Sequence, residues 1–227
     1  MATIPFPDVN SGIIKLKHPS STILAGPSGS GKTEWLLRLI KHRRSMFSPV
    51  PTRVIYSYKR YQGIFDAAIR DLGVEFCLGN SYTIDPKERT LLILDDQLLD
   101  NTVPLAELFT VTSHHDSCSV IFVSHSVFRA NDPDFRLASL NTNYFIVFKS
   151  FRGLGQINFL AHQIFVNQKE KSKRLVRAYV HATKRPYGYL LIDLLPQTPD
   201  SVRLRADILP DEGATYSGHA LTKSYPL

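Results

Sequence analysis

The chain is poor in cysteine: Cys77 and Cys118 are the only two in 227 residues. That is too few for the disulfide framework of a small secreted domain. Both lie in or beside apolar, strand-like runs, which predicts buried free thiols in a reducing compartment. No apolar run approaches the ~20 residues that cross a bilayer, so no membrane partner is expected. The opening stretch, Met1-Ala2-Thr3-Ile4-Pro5-Phe6-Pro7, lacks a basic segment followed by an apolar one, and no secretory signal is expected. There is no internal repeat and no low-complexity tract. Acidic residues are also in deficit, 20 against 27 Lys and Arg, for a net charge of +7 and a pI near 9.4. An excess of this sign favours a polyanionic partner. With 43% hydrophobic residues the chain can bury one core of good size.

What is present centres on Gly26-Pro27-Ser28-Gly29-Ser30-Gly31-Lys32-Thr33. Two glycines four residues apart, followed by Lys and Thr, make a phosphate loop. Glycines allow the tight turn that aims successive backbone N–H groups at a β-phosphate. Lys32 can reach the β- and γ-phosphates, and the Thr33 hydroxyl can ligate Mg²⁺. Ser20 to Ala25 reads as a short buried strand before the loop, and Glu34 to Ile40 as a helix whose N-terminus faces the anion. The pattern predicts binding of a nucleoside triphosphate, ATP with Mg²⁺.

Further along, Arg53–Tyr58 reads as a strand, Ile64–Leu72 as a short amphipathic helix closed by Gly73, and Val74–Leu78 as a minor strand. Thr90–Leu94, Ser119–Val123 and Asn143–Phe148 are continuous apolar runs, Leu105–Val111 is helical, and Gly188–Leu195 is a final strand. Uninterrupted apolar strands separated by helices predict an α/β fold with a parallel sheet covered on both faces. Residues 1–17 read as an N-terminal extension, 18–196 as the core domain, and 197–227 as a tail that is mobile past about Pro210.

The run Leu91-Leu92-Ile93-Leu94 ends in Asp95-Asp96. An apolar strand next to the phosphate-loop strand would carry an acidic residue to the sheet's carboxyl edge, beside the metal. Asp95 is assigned to Mg²⁺ with Thr33, and Asp96 to polarising the attacking water. Ser124-His125 ends the next strand, and His125 is the candidate for sensing the γ-phosphate or the water. His114, His115 and Cys118 have no second ligand cluster, so no metal is assigned there.

The succession of phosphate loop, Asp95-Asp96, Ser113-His114-His115, the strand ending in Ser124-His125, Asn141-Thr142-Asn143 before Tyr144–Phe148, Lys149-Ser150-Phe151-Arg152 and Lys184–Asp193 resembles the FtsK/HerA superfamily. Within it the chain is most similar to poxvirus-type DNA-packaging ATPases of double-stranded DNA viruses, Maverick/Polinton elements and adintoviruses. The likeness runs from about His18 to Ile208. It implies a RecA-like P-loop fold of the additional-strand type. It also implies a ring of identical subunits acting on double-stranded DNA, capsid proteins as further partners, and residence in the host nucleus or cytoplasm and with the virion. Two departures stand out. The family's sensor strand usually ends in Gln or Asn where this chain has His125. Relatives also carry an arginine finger just before that strand, where this chain reads His115-Asp116-Ser117-Cys118-Ser119. Arg129, Arg136 and Arg152 are the substitutes to consider, with Arg152 preferred because it directly follows the Tyr144–Phe148 strand.

On a helix from Gln168 to Thr183, Leu175, Val176, Tyr179 and Val180 share one face, while Lys173, Arg177, His181 and Lys184 form a basic stripe. Lys173, Arg177 and Lys184 are the candidate DNA contacts, with Lys41, Arg43, Arg44 and Lys59-Arg60 as lesser basic clusters. Such contacts are salt-sensitive and blind to sequence. A small-molecule or nucleoside kinase and a non-motor nucleotide switch remain alternatives. The kinase would need an acceptor pocket and an arginine-rich lid, and no such segment is evident.

Overall fold

The computed structural model describes residues 14–61, 63, 65, 71–95, 104–112, 117–212 and 222–227. Eleven strands are present among them. β1 (Leu16–Lys17) pairs in parallel with β3 (Phe47–Ser48) as a separate ribbon. The other nine, β2 (Ser21–Ala25), β4 (Arg53–Tyr58), β5 (Glu75–Leu78), β6 (Thr90–Asp95), β7 (Cys118–Ser124), β8 (Tyr144–Phe148), β9 (Tyr189–Asp193), β10 (Leu204–Ala206) and β11 (Lys223–Ser224), form one sheet in the order β11-β10-β9-β8-β2-β7-β6-β4-β5. The helices are α1 (Lys32–Lys41), α2 (Arg43–Met46), α3 (Leu105–Glu107, continuing as a π-helical turn over Leu108–Thr112), α4 (Pro133–Leu140), α5 (Leu154–Ile164) and α6 (Lys169–Ala182). No helix among the described residues is long and apolar enough to cross a membrane.

Alternation along the central strands divides their side chains between two cores. Ile23, Leu92, Leu94, Val120, Phe122, Phe145 and Val147 face one way, against Leu105, Phe135, Ile157, Leu160, Leu175 and Tyr179 of α3 to α6. Leu24, Leu91, Ile93, Ile121, Val123 and Ile146 face the other way, against Trp35, Leu36, Leu39 and Ile40 of α1. Both faces are covered, so strands such as β6 and β7 are buried along their whole length. That is why they read as continuous apolar runs.

Two expectations about the sheet are corrected. It is mixed: β5, β4, β6, β7, β2 and β8 are parallel, while β9, β10 and β11 are antiparallel to their neighbours. The cause is the α5–α6 connection. A single helix after β8 would carry the chain back to the amino edge, but two helices packed on each other return it to the carboxyl edge, so β9 runs the opposite way. The strand carrying Asp95 is also not the neighbour of the phosphate-loop strand, because β7 lies between β2 and β6.

The boundary expected at residue 196 falls inside the sheet, since β10 pairs with β9. The two are also tied by a buried ion pair, Arg205 Nη2 to Asp193 Oδ2 at 2.7 Å. The tail expected to be mobile past about Pro210 is instead ordered at residues 222–227, where β11 joins β10 and Tyr225 is buried beside His181. Residues 209–212 are clasped to α1 by a two-pronged contact from Arg38 to Asp211 and by a third to Glu212. The helix expected over Ile64–Leu72 lies mostly outside the described residues.

His18, buried before β2 with Nδ1 2.6 Å from Ser119 Oγ, gives the fold a pH dependence. Burial pushes its pKa from 6.5 down to about 4, with Arg89 adding to the fall and a backbone contact to Ser117 opposing it. Above pH 6.5 the ring is neutral both folded and unfolded. Below that only the unfolded chain takes the proton, until the folded form follows near pH 4. Stability is therefore lost as the pH falls across that window, by about 3 kcal/mol in total. Denaturant unfolding of His18→Leu against wild type at pH 7 and pH 4.5 should show a flatter pH slope for the variant; equal slopes would count against this assignment.

Candidate functional site

The Gly26–Thr33 loop joins the carboxyl end of β2 to the start of α1. Gly26 admits no side chain: a Cβ there would fall 2.7 Å from Phe148 Cβ and 2.9 Å from Ser30 Oγ. Gly29 and Gly31 take positive φ angles of 73° and 95°, the left-handed region that glycine enters without strain. Gly31 is also the N-cap of α1 and offers no side chain to cap it. The helix N-terminus, with its positive end of the dipole, is thus open to an anion.

Lys32 is buried and curls over the loop, its Nζ donating to Gly26 O at 2.8 Å and to Pro27 O at 2.9 Å. Ser30 Oγ is buried without a hydrogen-bond partner among the described residues, a donor that a phosphate oxygen would satisfy. The loop therefore fits a nucleotide polyphosphate.

Asp95 ends β6 and is buried. Tyr56 OH, from the adjacent strand β4, donates to its Oδ2 at 2.5 Å. Burial pushes the Tyr56 phenol far above its ordinary pKa, the neighbouring Asp95 carboxylate adds to the rise, and a hydrogen-bonding interaction with Thr33 works against it. Tyr56 thus interacts with both Thr33 and Asp95, the two residues expected to hold Mg²⁺. Sequence reasoning placed Tyr56 only in a strand. The signal was a tyrosine in an otherwise apolar run, and its meaning depends on the register that sets β4 beside β6. Among the described residues no three His, Cys, Asp or Glu side chains cluster. A Mg²⁺ here would rest on Thr33, Asp95, phosphate oxygens and water, a donor set suited to that ion.

The remaining expected residues are placed unequally. Asp96 and Ser113–Asp116 lie outside the described residues. His125 is exposed at the end of β7, lining a small cavity with Gly26, Phe148 and Gln156. Ser124 Oγ instead donates to Ser126 O at 2.6 Å and shapes the turn. Gln156, which sequence reasoning missed, holds that turn through Oε1, accepting from Ser126 Oγ and Val127 N.

Arg152 is exposed in the turn after β8, at the same carboxyl edge as the loop, and Arg136 is exposed on α4. Arg129 is engaged otherwise, paired with Asp132 at 2.8 Å and lying over the Phe135 ring. Lys173 and Arg177 are exposed on α6, Lys173 paired with Glu170. Lys184 lies beyond the end of that helix, in the turn before β9, so the expected stripe is broken at Ala182. Val180, expected on the buried face, is 46% exposed, and Ser172, Ala178 and Ala182 are buried in its stead.

No protein-family model matches this chain, and no curated protein matches it. Among solved structures it is similar to EssC (ATPases 2 and 3) from Geobacillus thermodenitrificans, with a TM-score of 0.43 and 10% identity. The match covers 100% of this chain and 48% of that one, so the chain spans about half the length of that protein. A likeness this faint carries no weight for the function, which is read from the site's own residues.

Proposed function

We propose that this chain is a Mg²⁺-dependent ATPase with a RecA-like P-loop fold of the additional-strand type. We further assign it to the poxvirus-type DNA-packaging ATPases of the FtsK/HerA superfamily. In this reading it works as a homo-oligomeric ring that drives double-stranded DNA into a capsid, within the host nucleus or cytoplasm and in contact with capsid proteins. One observation carries the nucleotide part: the glycine-lined loop at the carboxyl end of β2 holds Lys32 over its own carbonyls, and its Thr33 interacts with Tyr56, the phenol that donates to buried Asp95. The position of β7 between β2 and β6 supports the additional-strand assignment.

Mg·ATP, when bound, supplies the scissile phosphoanhydride and part of the charge neutralisation. The chain's residues do the rest. The loop's backbone N–H groups and Lys32 hold the β- and γ-phosphates, Thr33 and Asp95 hold the metal, and Asp96 takes the role of polarising the water. His125 senses the γ-phosphate, and Arg152 reaches the site of a neighbouring subunit.

Net charge and the exposed Lys173, Arg177 and Lys184 support the DNA part. Changing these three residues to Glu should abolish stimulation of hydrolysis by DNA and leave basal hydrolysis near wild type. For every phosphate that a variant no longer neutralises, the slope of log affinity against log salt should also fall by about 1. DNA binding that survives unchanged would assign the interface to another basic cluster.

A further inference from the structure

The turn between α6 and β9 contains a residue that neither packing nor backbone preference explains. Gly188 N donates to Arg185 O at 3.2 Å, closing a turn with Pro186 second and Tyr187 third. Tyr187 has a φ of +60°. Proline followed by positive φ marks a type II turn, whose third position favours Gly or Asn. A bulky side chain there is strained, and such strain points to function when nothing else accounts for it. Burial does not account for it, because Tyr187 is 67% exposed.

The turn is nonetheless held firmly. A Cβ on Gly188 would fall 2.5 Å from Ala182 O, so this glycine is pressed against the end of α6, and Lys149 N donates to its carbonyl. Asp207 takes an ion pair from Arg185 and a second from Lys223 at 3.0 Å, anchoring the turn from its far side.

What this arrangement presents is the Tyr187 side chain, laid on the phosphate loop. A Cβ built on Gly31 would meet Tyr187 Cδ1 at 3.1 Å, Cβ at 3.4 Å and Cγ at 3.5 Å. The ring therefore rests on the residue immediately before Lys32, with most of its surface open to solvent. It is an aromatic surface at the rim of an anion cradle.

We infer that the Tyr187 ring is the platform on which the base of a nucleoside triphosphate stacks while the loop holds its phosphates. This rests on the reading of the Gly26–Thr33 loop as a nucleotide site. Stacking serves any base, since each has a π-face. The platform therefore selects nucleotides over inorganic polyphosphate and discriminates weakly among ATP, GTP and CTP.

The test is equilibrium binding of ATP and of inorganic tripolyphosphate, each with Mg²⁺, to wild type, Tyr187→Phe and Tyr187→Gly. Glycine suits the turn, so the Tyr187→Gly thermal midpoint should stay level or rise. Its ATP affinity should fall roughly tenfold or more, with tripolyphosphate affinity unchanged, and Tyr187→Phe should bind ATP like wild type. ATP binding by Tyr187→Gly at wild-type strength overturns the platform, as does an equal loss for ATP and tripolyphosphate, which would make the ring a support for the loop. Wild type binding neither ligand would overturn the nucleotide reading itself, and the platform with it.

Discussion

Lys32→Ala should bind ATP poorly and lower hydrolysis by at least about a hundredfold, the scale on which removal of one preorganised charge-stabilising donor acts. Lys32 is the long cation of the phosphate loop, and its Nζ already hangs over the cradle on Gly26 O and Pro27 O. Loss of the ammonium group removes the charge that would meet the β- and γ-phosphates, and no neighbouring side chain of the loop replaces it. The fold should survive, because the carbonyls that Lys32 Nζ meets, Gly26 O and Pro27 O, belong to the loop and not to a strand or helix. Binding by calorimetry and phosphate release, with circular dichroism as the control for folding, check the expectation. Hydrolysis at the wild-type rate in a folded variant would mean that the loop is not the nucleotide site.

The second large effect concerns the metal. Asp95→Asn should shift the Mg²⁺ concentration needed for tight nucleotide binding upward by about a hundredfold, since an amide oxygen carries no charge for the cation. Tyr56→Phe should move it in the same direction by about tenfold. The hydroxyl removed there donates at 2.5 Å to Asp95, and loss of the partner that orients a metal ligand typically costs 10- to 100-fold in affinity. ATP binding in the presence of a chelator should be the same for both variants and wild type. A Tyr56→Phe protein whose Mg²⁺ requirement is unchanged would reduce the phenol to core packing.

Much of this architecture was legible in the chain. The strand over Arg53–Tyr58 has the expected ends, and β6 and β7 exceed their expected runs by one or two residues, because strands buried on both faces leave an uninterrupted apolar record. The α6 helix was readable from its period. Its buried face was readable only in part: Leu175 and Tyr179 are buried on it as expected, but Ser172, Ala178 and Ala182 complete it, small residues that hydrophobicity ranks low. α4 and α5 went unread although each left a trace. Asp132-Pro133 supplies a capping side chain, accepting from Phe135 N at 2.8 Å, and a favoured first residue. Ile157, Leu160, Ala161 and Ile164 recur at helical spacing. Missing both helices also hid the antiparallel sense of β9, since two crossover helices reverse the strand that follows.

Within the site, the loop and Asp95 stood out by type and spacing. Tyr56 and Tyr187 did not, because each matters through a partner distant in sequence. Tyr56 reaches Asp95 only through the β4–β6 register, in which it lies opposite Ile93. Tyr187 reaches Gly31 only because the last helix delivers its turn to the carboxyl edge. The Arg205–Asp193 pair was hidden for the same reason, an arginine in the sequence giving no sign that it would be fully buried.

A DNA-driven ATPase is tested most simply by the rate of ATP hydrolysis of the wild-type chain, measured with Mg²⁺ in the absence and presence of double-stranded DNA of unrelated sequences. Hydrolysis should depend on Mg²⁺, rise with any of the DNAs and lose that rise as salt is added. Hydrolysis that ignores DNA, or none at all from a folded protein that binds ATP, would contradict that function.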